Sequence, residues 1–457
     1  MRSVDALRRP LENDEGVSLT IGSMPVGQAL DFLRTGDAHP PLFFIWLHAM
    51  ESIHAPIWSI RLLMAAMGTL SVVLLMLLVR RWSTPQAAAV AGMCAAVMPV
   101  FVYYDTWLRM YTPFVCLSLL SFWLLSVLDA GPKSNVPRSI LWAAWIVTTT
   151  AALYDLYLAW MVLGAQVLFA ATRGRKMFLQ TAVAAVVAAL LWLPQVPTFV
   201  AQLSGGGVSL AWNQSQLAAN LWQLPGQATI VPQMEGTLAD VGAVIAWLWI
   251  RAAFACAWPR FKNTILPWLA APAVLTLGYS VLANKLLYLD RYYLLFSFAL
   301  CAATGVAYAT IAERWPRSRI AIVLPGVALV ALGCAYALDP AFYTADWVGV
   351  TAALSERAEP GDLLMFEQGG AYWAFKYYAS GLRNPILMVT VPDEIDRAMA
   401  VADRHRRVWL IGSELRHIDP DLRLLHHLES GYRLSYFEEL TRMLPTEDLE
   451  VGLFVKK

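Results

Sequence analysis

Long apolar runs separated by short polar joints fill the first three quarters of the chain, and shorter mixed elements follow. A helix needs roughly 17–25 apolar residues to cross about 30 Å of hydrocarbon. Runs of that kind occur near 60–79, 86–104, 110–128, 138–154, 156–171, 177–197, 239–257, 263–283, 289–312 and 319–338. The fourth and fifth are short, and their junction, LYDLYL, predicts a tight turn. Ahead of the first run, PPLFFIWLHAM is too short to span and suits a helix lying in the membrane interface.

Beyond residue 346 the period changes. WVGVTAALSERA, YWAFKYYASG and PDEIDRAMAVADRH read as amphipathic helices, and DLLMF, ILMV, RVWLIG and EVGLFVKK as strands. This alternation predicts a small α/β domain. Its QGGAYW stretch lacks the G-x-G-x-x-G spacing of a dinucleotide loop, so its glycines read as loop residues of a scaffold or acceptor-docking domain. The expected organisation is an outer first segment over 1–59, a transmembrane domain over 60–338 and an α/β domain over 339–457.

Composition agrees with this pattern. Hydrophobic residues make up 58% and charged residues 15%, with mean hydropathy +0.52, against about 25% charged in soluble domains. The fold class is therefore a polytopic α-helical membrane protein. A net charge of +1 gives no footprint for nucleic acid. The five cysteines lie in apolar runs without a Cys-x-x-Cys pair and read as core residues. The 19 Trp and 17 Tyr suit interfacial belts and a sugar- or lipid-facing cavity.

Charge sets the orientation. Twelve basic residues (Arg80, Arg81, Lys133, Arg138, Arg173, Arg175, Lys176, Arg260, Lys262, Arg314, Arg317 and Arg319) fall in alternate joints, whereas the opposite joints hold Arg109, Lys285 and Arg291. Positive residues stay in the cytoplasm. Residues 1–59, the 198–238 loop and the tail are thus expected outside the plasma (inner) membrane. Nothing ahead of residue 60 resembles a signal peptide or a span, so we expect a further helix ahead of Met1. The other route is translocation of a short polar tail after insertion.

Charged groups at the outer boundary are costly and usually functional. They are Asp14 and Glu15 in NDEG, Asp37 and His39 in DAHPPLFF, Asp105, Arg109 and Tyr111 in YYDTWLRMYTP, Asp155 in YDLY, and Lys285, Asp290, Arg291 and Tyr292 in NKLLYLDRYY. Carboxylates and cations on one face suit a substrate with an anionic leaving group: a carboxylate as general base, cations to neutralise the departing charge. Each also has a plainer reading. Arg109 and Arg291 could reach lipid phosphates, Asp105 and Asp155 could cap helices, His39 could serve a turn, and Asp14–Glu15 could be a solvated loop. The Asn213-Gln-Ser sequon reads as chance.

In their order, NDEGVSL, DAHPPLFF, RLLMAAMGTLSVVLL, MPVFVYYDTWLRMYTPF, WLPQVPTF and LDRYYLLF resemble glycosyltransferase family 39, the protein O-mannosyltransferase-like membrane enzymes of the C-type glycosyltransferase fold. The resemblance covers nearly the whole chain, α/β tail included. It implies an Asp-Glu pair supplying the catalytic base, matched by Asp14 and Glu15. It also implies a His-Pro-Pro beneath the cavity, matched by His39, Pro40 and Pro41. Tyr104, Arg109 and Tyr111 match an Arg-x-Tyr loop after a Tyr pair, and Arg291 and Tyr292 match a late Arg-Tyr pair. Where many relatives carry a Ser-Gln-Glu-like stretch, this chain has Asp105, Thr106 and Trp107. Family members also place a transmembrane helix before the acidic pair.

The implied reaction moves a sugar from a polyprenyl phosphate to an acceptor hydroxyl on a lipid, glycan or protein, with inversion. Asp14 would be the base, with Glu15, His39 or Asp105 orienting the acceptor, and Arg291, Lys285 and Arg109 on the phosphodiester. A divalent cation shared by the acidic residues is compatible with this set without being required; no other cofactor is expected. The rival readings are a lipid-linked sugar transporter or flippase, against which the lack of an internal repeat counts, and a non-catalytic membrane scaffold.

Overall fold

Pro56, Thr84, Pro99 and Gly131 mark where the apolar runs start and stop. In the computed structural model, which describes residues 11–131, 136–204, 222–226, 228–229, 236–283, 290–338, 346–367, 371–379, 381–413, 418–441 and 449–457, two compact units emerge. One runs from Met24 to Cys334. The other combines 11–23 with the described residues beyond Cys334. The first segment, expected as one piece over 1–59, is thus divided: the acidic pair falls in the second unit and His39 in the first.

The first unit has a helix within each of the runs expected to span. The Ile57–Trp82 helix follows Pro56 and carries Arg80 and Arg81 in its last turn, where cations complement the carbonyl end of the helix dipole. Thr84 caps the Pro85–Val97 helix by accepting the Ala87 N–H at 3.1 Å, with Pro85 at the first helical position. Gly131, at φ +80°, ends the Tyr111–Ala130 helix in a backbone conformation that suits glycine. The LYDLYL turn is present: the Arg138–Asp155 helix stops at Asp155 and the next begins at Ala159. The segment expected to lie in the interface forms the helix Leu42–Ser52.

Prolines break two of the expected spans. Pro99 holds Met98 extended, at ψ 123°, so the run 86–104 becomes Pro85–Val97 followed by Pro99–Tyr104. The run 263–283 opens with a short 3-10 turn, Leu266–Leu269, and leaves Ala271–Ala283. Five helices among the described residues are long and apolar enough to cross a membrane: Ile57–Trp82, Tyr111–Ala130, Arg175–Leu203, Asp240–Phe261 and Arg291–Arg314. The best-buried of them, Arg291–Arg314, packs on Pro85–Val97 so closely that a Cβ on Gly305 would stand 2.2 Å from the Ala87 carbonyl oxygen.

The basic residues expected in the cytoplasm gather at one end of these helices. Arg81 Nε donates to the Ser126 carbonyl at 3.0 Å and Arg138 Nη2 to that of Leu128 at 3.1 Å. Arg173 meets Asp129 at 2.9 Å and lies over Trp82, and Arg260 pairs with Glu313. Tyr111, Asp155 and Arg291 lie at the opposite ends of the same helices.

In the second unit, strands β1 (Leu363–Glu367), β2 (Ile386–Val389), β3 (Arg407–Ser413), β4 (Tyr432–Thr441) and β5 (Leu449–Lys456) form one sheet in the order β2-β1-β3-β5-β4. The first three run parallel, and β5 is antiparallel to both β3 and β4. The central strand, LLMFE, is buried throughout, as a parallel strand covered on both faces should be. Leu363, Met365, Val408, Leu410, Leu424 and Leu428 build the core. The expected tail elements are present; the Arg423–Gly431 helix and β4 are additional. The Asn13–Ser23 helix packs on the Ala371–Tyr378 helix of this unit, where a Cβ on Gly16 would stand 2.4 Å from Ala374 N. Leu11 N–H also donates to Tyr378 Oη at 2.9 Å.

Candidate active site

The acidic pair opens the Asn13–Ser23 helix, with both carboxylates in its first turn. Adjacent positions on a helix point about 100° apart, and the two differ accordingly. Glu15 is fully buried, and its Oε2 accepts the Glu12 N–H at 3.0 Å, which ties down a backbone donor that the helix leaves unsatisfied. Asp14 is half-buried, and its own carbonyl is met by the Ser18 hydroxyl at 3.0 Å. The helix N-terminus favours its negative charge.

Six of the remaining candidates, Asp37, His39, Arg109, Tyr111, Arg291 and Tyr292, lie in the helical unit and form two joined clusters. In the first, Asp37 Oδ1 sits 2.5 Å from His39 Nδ1, and its Oδ2 sits 3.9 Å from Arg109 Nη1. Burial would push the Asp37 carboxyl up, but the charge and hydrogen bond of His39 and the charge of Arg109 outweigh it. They hold it down at about 2. Both Asp37 and Arg109 are buried, and removing one partner of such a pair costs about 3–5 kcal/mol.

The second cluster is aromatic and cationic. Arg291 Cζ lies 5.4 Å from the Trp107 ring centre and 5.3 Å from that of Tyr111. Trp107 and Tyr111 stack at 5.6 Å, and Tyr292 meets Tyr111 edge-on at 6.3 Å. A guanidinium over aromatic faces gains about 0.5–2 kcal/mol per ring and keeps its N–H groups directed in plane.

The buried segment 104–111 joins the clusters, since it carries Arg109 to Asp37 and Trp107 and Tyr111 to Arg291. Backbone bonds fix it: Trp107 N–H to Tyr104 O at 3.1 Å and Arg109 N–H to Trp107 O at 2.9 Å. The Thr112 hydroxyl adds a bond to Tyr104 O at 2.8 Å. Asp105, also buried, lies flat on the Ile57–Trp82 helix, where a Cβ on Gly68 would fall 2.1 Å from its carboxyl carbon.

The structure thus brings together Asp37, His39, Arg109, Tyr111, Arg291 and Tyr292 in one unit. Lys285 lies outside the described residues. Asp155 ends its helix as a buried side chain, and the backbone of Asp290 opens a short 3-10 turn, Asp290–Tyr293. Sequence reasoning passed over Trp107 as a platform, Arg61 as a buried cation two turns before Gly68 on the same helix, and Gln202. Arg61 could have been found as a charge just inside an apolar run. Gln202, a neutral amide, gave no such signal. Among the described residues no three His, Cys, Asp or Glu side chains gather into a metal-ligating set, and Asp37 is met by His39 and Arg109 instead.

Residues 38–200 match the family model described as dolichyl-phosphate-mannose-protein mannosyltransferase. Among curated proteins none matches the chain by sequence. Solved structures are similar over nearly its whole length. ArnT from Cupriavidus metallidurans in the apo state has TM-score 0.56 at 15% identity, covering 98% of this chain and 94% of that one. The same protein bound to undecaprenyl phosphate gives 0.55 at 14%, covering 98% and 95%. The archaeal oligosaccharyltransferase AglB from Archaeoglobus fulgidus, in complex with an inhibitory peptide and a dolichol-phosphate, gives 0.54 at 10%, covering 98% and 71%. The family match thus covers the segment that holds Asp105, Arg109 and Tyr111, and along nearly its whole length the chain shares the C-type glycosyltransferase fold of these solved structures.

Proposed function

We propose that the chain is an inverting glycosyltransferase that moves a sugar from a polyprenyl phosphate to an acceptor hydroxyl on the extracytoplasmic side of the plasma membrane. The observation that carries this reading is Arg291, held over Trp107 and Tyr111 beside the buried Asp37–His39–Arg109 group. Cations set in apolar, aromatic surroundings suit a lipid-borne phosphodiester, whose charge must be met where water is scarce. The undecaprenyl phosphate in the ArnT structure supports the same donor class. The gathering of Arg81, Arg138, Arg173 and Arg260 at the far ends of the helices supports an outward-facing site.

In this reading Asp14 takes the proton of the acceptor hydroxyl as its oxygen attacks the anomeric carbon. The bond from that carbon to the phosphate oxygen breaks on the opposite face, and the polyprenyl phosphate leaves with the electron pair. Arg291 and Arg109 offset the charge on the leaving phosphate, and Tyr111 and Tyr292 line the sugar. Glu15 is committed to its own helix and supports Asp14 from behind. His39, bonded to Asp37, keeps that carboxylate toward Arg109.

Asp14→Asn should lower transfer at least about a hundredfold while leaving expression intact. Glu15→Gln, which keeps an oxygen for the Glu12 N–H, should lower it much less. Near-normal turnover in the Asp14 variant, measured with a defined polyprenyl-phosphate sugar, would remove Asp14 from this role. A flippase would relocate the lipid-linked sugar without consuming it.

A further inference from the structure

Behind the Asp37–His39 segment lies a chain of neutral polar groups that belongs to no reacting cluster. Gln202, buried on the Val196–Ser204 helix, aims its amide nitrogen at three backbone carbonyls: Leu33 at 2.6 Å, Asp37 at 2.9 Å and His39 at 3.3 Å. Three acceptors around one atom require that atom to be the amide N–H2, which leaves Oε1 to accept. It accepts the Tyr157 hydroxyl at 2.6 Å, and Tyr157 Oη in turn accepts Gln195 Nε2 at 3.1 Å. Tyr157 is wedged between Phe199, at 4.9 Å between ring centres, and Trp192, at 6.3 Å. The series ends on three carbonyls of one short segment, two of which belong to the residues that meet at 2.5 Å.

We infer that Gln202, backed by Tyr157 and Gln195, is a positioning device for donor binding: it fixes the 33–39 segment so that Asp37 holds Arg109 in place for the phosphodiester. The segment lies between two helices, Val26–Leu33 and Leu42–Ser52, so its carbonyls have no ladder partner from a helix or strand of their own. Buried carbonyls left unmet are costly, and the two N–H bonds of one amide are shared among three of them. Asp37 bridges His39 and Arg109, so displacement of the segment passes directly to Arg109. Tyr157 makes the arrangement directional. A hydroxyl that donates to Oε1 while accepting from Gln195 prevents the Gln202 amide from flipping, because a flipped amide would turn its N–H2 toward the hydroxyl and its oxygen toward three carbonyls.

This inference rests on the transferase reading for the identity of the ligand, and the test separates the two. The full chain in lipid nanodiscs would be assayed for transfer from a polyprenyl-phosphate sugar and, separately, for binding of undecaprenyl phosphate. Gln202→Leu is expected to raise KM for the donor about tenfold and to weaken undecaprenyl phosphate binding in step, with acceptor KM unmoved. Tyr157→Phe should shift both in the same direction by less. In an Arg109→Gln background, the Gln202 substitution should add little, because the group it positions is gone.

Unchanged donor KM and lipid binding in Gln202→Leu, or an equal loss with and without Arg109, would overturn the positioning role. Should Gln202→Leu fail to fold, Tyr157→Phe in the two backgrounds decides by the same criteria. Wild-type protein that transfers no sugar, yet loses undecaprenyl phosphate on Gln202→Leu but not in the Arg109→Gln background, supports the positioning role and removes the transferase reading. Normal wild-type transfer with an unaffected Gln202→Leu variant does the reverse.

Discussion

At the residue scale, an ionisable group in an apolar setting survives only if its charge is met or suppressed, and the chain uses both. Asp37 keeps its charge because His39 and Arg109 stand against it, and its carboxyl is held near 2. Glu367, at the end of β1, takes the other course: burial, with the nearby Asp419, pushes it up to about 8. The unfolded chain releases the Glu367 proton near 4.5, whereas the folded unit keeps it until about 8. The folded state therefore binds more protons across that window, and stability falls as pH rises through it by at most about 1.4 kcal/mol per pH unit. Glu367→Gln should flatten this slope and strengthen amide-exchange protection of β1 at the alkaline end. Identical pH dependence in the two proteins would show that Glu367 is ionised in the fold.

At the scale of elements, the acidic helix is held against its neighbour by a close approach of the two backbones. Gly16 lets its backbone approach Trp373 and Ala374, where a Cβ would come within 2.4–2.5 Å of main-chain atoms. Main chain yields little, so Gly16→Ala should cost about 1–3 kcal/mol and displace Asp14, lowering transfer as well as thermal stability. Gly27, in the Val26–Leu33 helix, has nothing within 4 Å of its Cβ position. Gly27→Ala should therefore leave transfer intact and be neutral or stabilising by up to about 1 kcal/mol. Equal effects of the two substitutions on melting and turnover would contradict the close-approach account.

These elements were unevenly legible in the sequence. The spans announced themselves as apolar runs, and Pro99 and Pro267 in hindsight mark the two that are broken. β4 stayed hidden because it lies at the sheet edge, with Arg433, Leu434 and Phe437 exposed, so no run of buried residues betrays it. Arg109, Tyr111, Arg291 and Tyr292 were visible as polar groups interrupting apolar stretches. Gln202 was not, because a neutral amide makes no such interruption and the carbonyls it meets lie 163–169 residues away. Nor did the sequence disclose that the Asn13–Ser23 helix packs on Ala371–Tyr378, since a single glycine carries that approach.

At the scale of the whole molecule, a membrane protein of the C-type glycosyltransferase fold gathers cations and aromatic rings at one end of its helices, and we propose that they receive a lipid-borne sugar. The most direct measurement incubates the purified protein in nanodiscs with a panel of polyprenyl-phosphate sugars and acceptors, and follows donor consumption and the anomeric configuration of the product. One donor should be consumed to free polyprenyl phosphate, the product should carry the inverted anomer, and Arg291→Ala should abolish the reaction. A product with retained configuration, or undiminished turnover in the Arg291 variant, would contradict the proposal.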